Sequence, residues 1–313
     1  MWSMILKRLL RGLLTVSIVI VLIFVVMRIA PSDPAALLAG AEASAEDVEQ
    51  MREQWGLNKS YSEQFIVYIK ALLSGDAGLS FQYSANGSRS FTVLELVASR
   101  FPNTVRLAVV AILIAVIVAV PTGILCGLHQ GSWFDNLIMA SGFMLKSVPV
   151  FYVGILMINF FAIKLQILPS GGNDSWKSII LPAIATGMHF TVVLTRTTRS
   201  EMIQILKSDY IKTVRAKGLS NRAVLFVHCL RNTAIPIVTL VGNRFGGMLG
   251  GSVVTEALFR WPGIGQLLIN SVSTRDYPTV QFLVPYIAIV FIVINIIVDV
   301  LYGILDPRIR REK

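Results

Sequence analysis

Charge is scarce in this chain. Only 15% of its 313 residues are Asp, Glu, Lys or Arg, against 54% hydrophobic ones, and a mean hydropathy of +0.68 excludes a soluble domain of that length. Cysteine and histidine are nearly missing as well. Cys126 and Cys229 lack the spacing of a metal site, and His129, His189 and His228 stand isolated from one another. No GxxxxGK[ST], HExxH, GxSxG or CxxC occurs, so neither an ATP site nor a familiar hydrolytic or redox site is legible. Segments of about ten residues with alternating polarity are also absent, which argues against a transmembrane barrel.

What the chain holds instead is long apolar runs. A hydrocarbon core of about 30 Å asks for roughly 20 apolar residues per helix. Six windows meet it: 13–29, 105–128, 137–163, 179–195, 234–255 and 280–305. The expected fold is therefore an all-α integral membrane protein with six transmembrane helices. The first window follows a basic start but has no small-x-small cleavage site, and it runs straight on through Met27-Arg28-Ile29-Ala30-Pro31. It reads as a retained anchor. Pro121 and Gly123 interrupt the second window, Gly142 and Pro149 the third, and Gly242, Gly246, Gly247, Gly250 and Gly251 crowd the fifth. Small residues let helices approach closely, so the fifth is expected in a helix interface or along a path.

The net charge is +10, and the cations behind it are unevenly placed. Lys7, Arg8 and Arg11 precede the first window, and Arg308, Arg310, Arg311 and Lys313 close the chain. Between the fourth and fifth windows, Arg196, Arg199, Lys207, Lys212, Arg215, Lys217, Arg222 and Arg231 face only Glu201 and Asp209. Loops 164–178 and 256–279 hold two cations each. Lys and Arg collect on the cytoplasmic side of membrane proteins, so both termini and the basic stretch 196–231 are expected in the cytosol. Loop 130–136 carries no cation and is the exception. Both cysteines fall on the inner side, where a disulfide is not expected. No basic patch is interleaved with aromatics, so the charge reads as topology and not as nucleic-acid binding.

Residues 30–102 carry nine acids and five cations and read as a small extracytoplasmic helical domain. Ser44-Ala45-Glu46-Asp47 resembles a capping box for a helix running to Trp55 and ended by Gly56. A second helix follows, with Phe65, Ile66, Ile69, Leu72 and Leu73 on one face and a break at Ser74-Gly75-Asp76. Gly75, Asp76 and Gly78 read as a turn, since the alternating oxygen ligands of a calcium loop are missing. Residues 84–90 read as a loop.

Inside the basic stretch, Ile203, Leu206, Tyr210 and Val214 recur at helical spacing beside Gln204, Lys207, Lys212 and Arg215, which predicts one amphipathic helix. Gly218 stops it, Ser220 caps a second short helix to about Leu230, and Pro236 fits the opening of the next span. Lys146, His189, Arg244 and Asp299 lie in or near apolar windows, where an ionisable group needs a partner or water. With Asn159 and Asn243 they are the candidates for a translocation path. A stand-alone secondary transporter is the alternative, but the internal repeat and paired broken helices of that class are not evident.

Longer stretches carry a family pattern. They include Arg28-Ile29-Ala30-Pro31-Ser32-Asp33-Pro34, Gly75-Asp76-Ala77-Gly78-Leu79-Ser80, Arg196-Thr197-Thr198-Arg199-Ser200-Glu201-Met202, Arg215-Ala216-Lys217-Gly218-Leu219, Arg231-Asn232-Thr233-Ala234-Ile235-Pro236, Phe259-Arg260-Trp261-Pro262-Gly263-Ile264-Gly265, Arg275-Asp276-Tyr277-Pro278 and Leu305-Asp306-Pro307-Arg308. Along essentially its full length the chain resembles the permease subunits of ABC-type dipeptide, oligopeptide and nickel importers, in particular the member with the larger extracytoplasmic loop.

The resemblance implies a type I ABC importer permease fold in a bacterial inner membrane. It divides the chain into an N-terminus and first helix (1–29), an extracytoplasmic domain (30–102), a five-helix core (103–305) and a basic tail (306–313). It further implies a second homologous permease, two cytosolic ATPase subunits that bind ATP and Mg, and an extracytoplasmic solute-binding protein. This chain would hold no cofactor and catalyse nothing itself. Di- and oligopeptides are the expected cargo, with nickel, metal chelates and glutathione as alternatives. The basic stretch matches the family's ATPase-coupling segment, carried here by Ile203, Leu206, Asp209, Tyr210, Lys212, Thr213, Val214, Arg215, Ala216, Lys217 and Gly218. Lys212-Thr213-Val214 stands in the Glu-Ala-Ala place of the wider superfamily, and Gly218 retains its glycine.

Overall fold

The computed structural model describes residues 2–29, 35–36, 43–54, 56–80 and 91–305. The motif residues 30–34, Trp55, the stretch 84–90 and the tail 306–313 lie outside them. Twelve α-helices of six or more residues organise the described residues: α1 Trp2–Ile29, α2 Ala45–Gln54, α3 Tyr61–Ser74, α4 Val93–Leu128, α5 Trp133–Ser147, α6 Val150–Met157, α7 Ile180–Leu206, α8 Asp209–Ala216, α9 Leu230–Gly251, α10 Val253–Leu258, α11 Ile264–Ser273 and α12 Tyr277–Leu305. A π-helical segment, Ile158–Lys164, prolongs α6, and another, Val224–Cys229, leads into α9.

Among the described residues, five stretches are long and apolar enough to cross a membrane: Arg8–Ile29, Val93–Leu128, Trp176–Leu206, Val224–Leu249 and Tyr277–Val298. A sixth is broken. The continuous helix expected over 137–163 is instead two, Trp133–Ser147 and Val150–Lys164, bent by 102°. Pro149 is the cause: its ring excludes the helical conformation at the preceding residue, and Val148 sits extended at φ −91°, ψ 129°. The fourth span does not end at Thr195, as expected, but runs to Leu206. Nor does the fifth begin at Pro236. That proline lies inside α9, and the span starts a full three turns earlier through the π segment.

The chain forms two compact units, with α4 and α12 each contributing to both. In the unit of residues 2–103 and 263–290, Ser44 and Asp47 form the expected cap: the Asp47 amide donates to Ser44 Oγ at 3.2 Å, and the Ser44 amide donates to the Asp47 carboxylate at 2.9 Å. Ser60 and Glu63 repeat it at α3, which Gly75 closes with φ +73°. The inward face of α3 differs from the expected one. Phe65, Tyr68, Ile69 and Leu72 are half-buried, whereas Ile66 and Leu73 are exposed. Phe24 of α1 sets this register by packing edge-on to Phe65 and stacking on Tyr68. A further core of Val93, Leu96, Val97, Ile264, Leu267 and Leu283 joins α4, α11 and α12. Buried Asp276 caps α12, accepting from the hydroxyls of Ser80 and Thr279.

The caps make acid sensitivity predictable. Hydrogen bonds from the Ser60 and Ser44 side chains, then from their amides, hold the Glu63 and Asp47 carboxyls below their usual range. A depressed folded pKa contributes stability above the unfolded value and loses it as pH falls through the folded one. Helicity of an isolated 43–75 peptide is therefore expected to drop on acidification below about pH 4, the ordinary carboxylate range, and Ser60→Ala should flatten the part of that drop due to α3. Circular dichroism across pH reads both.

In the other unit, residues 104–262 and 291 onward, α4 and α7 run parallel in close contact. A Cβ on Gly187 would lie 2.8 Å from the Ala111 carbonyl, one on Gly123 2.6 Å from Thr198 Cβ, and one on Gly127 2.6 Å from Met202 Cβ. Only glycine permits that approach over the full contact. Phe259 and Trp261 are fully buried after α10, and the loop after the first π segment crosses directly over Phe259. Gly172 donates to the Phe259 carbonyl at 2.9 Å, and a Cβ on Gly171 would lie 2.0 Å from that same oxygen. Gly171→Ala must push two backbones apart, an overpacking cost of about 1–3 kcal/mol. The expected result is a lower melting temperature of the detergent-solubilised protein.

Candidate coupling site

The polar segment between α7 and α9 is shorter than its charge suggests. Met202, Ile203, Ile205 and Leu206 extend the apolar stripe of α7, which stops only at Lys207. Ser208 is then extended (φ −69°, ψ 150°) and α8 begins at Asp209, where an acid suits the positive end of the helix dipole. The single helix expected through Ile203, Leu206, Tyr210 and Val214 is therefore two. The first pair ends the span, and the second belongs to α8. Tyr210 also faces outward, and the buried residues of α8 are Ile211 and Val214.

Those two side chains complete a small core with Met202, Val224 and Cys229, flanked by Ile124, Ile205, Leu206 and Leu225. Asp209, Lys212, Thr213, Arg215, Ala216 and Lys217 are all exposed on the opposite side of α8 or just beyond it. Lys212 and Asp209 pair at 2.8 Å in the open, a contact of little energetic weight. The result is an eight-residue helix seated by one face and presenting a row of polar groups by the other. Gly218 follows at φ +80°, its amide donating to the Arg215 carbonyl at 3.0 Å. Ser220 then caps the next turn, accepting from the Ala223 amide at 3.3 Å, as expected. The helix it opens does not stop near Leu230 but continues into α9.

Sequence reasoning passed over several groups here. His228 lies 2.6 Å from the Tyr210 hydroxyl through Nδ1, with the rings edge-to-face, so it ties α8 to the π segment. Asn232 and Thr233 donate to the His228 and Cys229 carbonyls, which satisfies acceptors displaced by the wider turn. The three-residue spacing of Ile211 and Val214 was a readable signal. The pairing of Tyr210 with His228, 18 residues on, was not.

The candidates for a path are spread over five elements, and among the described residues no hydrogen bond or ion pair joins any two of them. Lys146, Asn159, Asn243 and Arg244 are exposed on the subunit surface. His189 is half-buried, with Nε2 3.1 Å from the Val148 carbonyl; since a carbonyl only accepts, the ring carries a proton there. Asp299 lies within α12, its side chain outside the described residues. Gly246 packs against Asn295 of α12, whereas a Cβ on Gly247 would meet open space. Gly246 therefore serves a helix contact within the subunit.

Comparison with known proteins agrees along the whole chain. The family described as the binding-protein-dependent transport system inner membrane component matches residues 119–311, and its N-terminal counterpart matches residues 1–108. The chain is 41% identical over 310 residues to the glutathione transport system permease protein GsiC of Escherichia coli (strain K12), covering 99% of both. The protein of the same name from Shigella dysenteriae serotype 1 is equally similar. Among solved structures, an inward-facing form of the MetNI methionine ABC transporter matches with a TM-score of 0.53 at 15% identity, covering 68% of this chain and 97% of the other; this likeness speaks for the fold alone. Helical throughout its spans, with this permease fold and full-length family matches, the chain belongs to the inner-membrane permeases of binding-protein-dependent transport systems and is a permease subunit of an ABC importer.

Proposed function

We propose that this subunit forms, with a second homologous permease, the membrane path for glutathione and other short peptides, and that α8 is the helix through which cytosolic ATPases drive it. The 41% identity to glutathione permeases over 99% of both chains carries the cargo reading. Glutathione is itself a short peptide, so the reading narrows the expected peptide class and leaves nickel and its chelates as the alternative cargo. The cation distribution supports both termini and the polar segment 207–220 in the cytosol, with the segment between α1 and α4 outside, facing a solute-binding protein.

An importer needs two global states and something that biases them. This chain has no nucleotide motif, so the bias enters through contact with two ATPase subunits that bind ATP and Mg. The site for that contact is α8, seated on Met202 and Val224 by Ile211 and Val214 and open to a partner along Asp209, Lys212, Thr213 and Arg215. Lys146, Asn159, Asn243 and Arg244, exposed on the isolated subunit, supply polar groups to a path completed by the second permease. Arg244 matches the anionic carboxylates of a peptide cargo.

Reconstitution tests the reading. Proteoliposomes holding both permeases, the ATPases and the cognate binding protein are expected to accumulate labelled glutathione with ATP, with competition from unlabelled short peptides. Uptake of nickel alone, or glutathione uptake that persists without ATPase, contradicts it.

A further inference from the structure

Loop 130–136 has no cation of its own, yet its Asp135 is fully buried. The counter-charge comes from 64 residues away. Arg199 of α7 closes a two-pronged pair on it, Nε to Oδ1 at 2.5 Å and Nη2 to Oδ2 at 2.7 Å, and the Gly131 amide donates to the same carboxylate at 2.8 Å. Arg199 stands less than one turn above Met202, the residue on which α8 is seated. It is thus at the root of the coupling site while gripping a different helix.

The grip is repeated along α5. A Cβ on Gly142 would lie 3.1 Å from the Val192 side chain, the Arg196 guanidinium sits 5.3 Å from the centre of the Phe143 ring, and His189 donates to the Val148 carbonyl at 3.1 Å. From Asp135 to Val148 the α7 partner moves overall from 199 back to 189, the register of two antiparallel helices fastened at both ends of α5. On its other side α7 is held to α4 through Gly123 and Gly127. Beyond Val148 the chain turns by 102° into α6, so α5 is a lever that ends at a bend.

A buried ion pair is a poor way to gain stability, because desolvation offsets its attraction. A planar fork on a carboxylate does something apolar packing does not: it fixes rotation and sliding together. We propose that Arg199 and Asp135 are positioning residues for coupling, locking α5 to α7 so that displacement of α8 moves α5 against the Val148–Pro149 bend. The proposal rests on α8 being the ATPase contact, and the variants of Asp135 and Arg199 leave α8 itself intact.

Two variants of the full complex test it, with copurified ATPase, ATP hydrolysis and glutathione uptake read in parallel. Asp135→Leu/Arg199→Leu removes both charges and keeps an apolar contact, and Arg199→Lys keeps the charge but loses the fork. Both are expected to retain ATPase copurification and hydrolysis while uptake per ATP falls at least about fivefold, the lower edge of ordinary coupling strengths. Normal uptake per ATP in either assembled variant overturns the proposal, and so does failure of both to assemble, which would make the pair purely structural. Loss of the ATPase from an α8 surface variant, such as Lys212→Glu/Arg215→Glu, reports separately on α8 as the contact.

Discussion

A Gly218→Pro variant is expected to insert in the membrane at a normal level and to lose uptake almost completely. Gly218 holds φ at +80°, whereas the proline ring fixes φ near −65°. The substitution also deletes the amide that donates to the Arg215 carbonyl at 3.0 Å. No side chain crowds the site, since a Cβ at 218 would meet nothing within 4 Å. The damage is therefore conformational and local: the turn between α8 and the next helix opens, and α8 loses its fixed angle to the spans. Gly218→Ala is the graded control. It keeps the amide and carries only the left-handed penalty of about 1–2 kcal/mol, so it should lower uptake without abolishing it. Uptake and membrane-inserted protein, measured on the same vesicles, separate loss of coupling from loss of protein.

Ile211→Asp should have a comparable effect by another route. Ile211 is fully buried in the five-residue core under α8, and truncating such a side chain alone costs about 2–5 kcal/mol. A carboxylate adds desolvation with no cation supplied by that core. The buried residues of this eight-residue helix are Ile211 and Val214 alone, and helices this short do not persist without tertiary packing. The expected outcome is an unseated α8, loss of ATPase copurification and loss of uptake, with the spans still folded. Leu206→Asp, at a half-buried position on the rim of the same core, should be milder. Limited proteolysis confined to segment 207–220 of the Ile211→Asp protein would mark the unseating directly.

These two variants rest on features that differ in how readable they were. Gly218 was legible because a glycine after an amphipathic run has a local reason to be there, and the caps at Ser44 and Ser220 are legible for the same reason. Spans could be counted because apolar length is a property of a window. The start of the proposed coupling segment was not legible from charge. Arg196 and Arg199 look like loop residues, but a ring at Phe143 and a carboxylate at Asp135 accept them into the helix. Such partners lie tens of residues away and leave no trace in a local pattern. The π segments are equally silent, since a wider turn alters no composition. On α3, Ile66 and Leu73 were misassigned because apolarity was equated with burial inside the subunit, whereas a helix packed by Phe24 from one side leaves other apolar groups outside. The path candidates share that weakness. Charge inside a span marks a position as costly, and His189 shows that the cost can be met by a carbonyl at a helix break.

Site-directed cross-linking from Thr213→Cys, on the exposed face of α8, tests the central claim most directly: that an unpowered gate is driven through this helix by separate ATPases. In the assembled transporter a short bifunctional reagent at that position should join the subunit to its ATPase, with a yield that changes between nucleotide-free and ATP-bound states. Labelling of Thr213→Cys by an impermeant thiol reagent added outside intact cells, or an ATPase bound and active with no cross-link in any nucleotide state, would contradict the account.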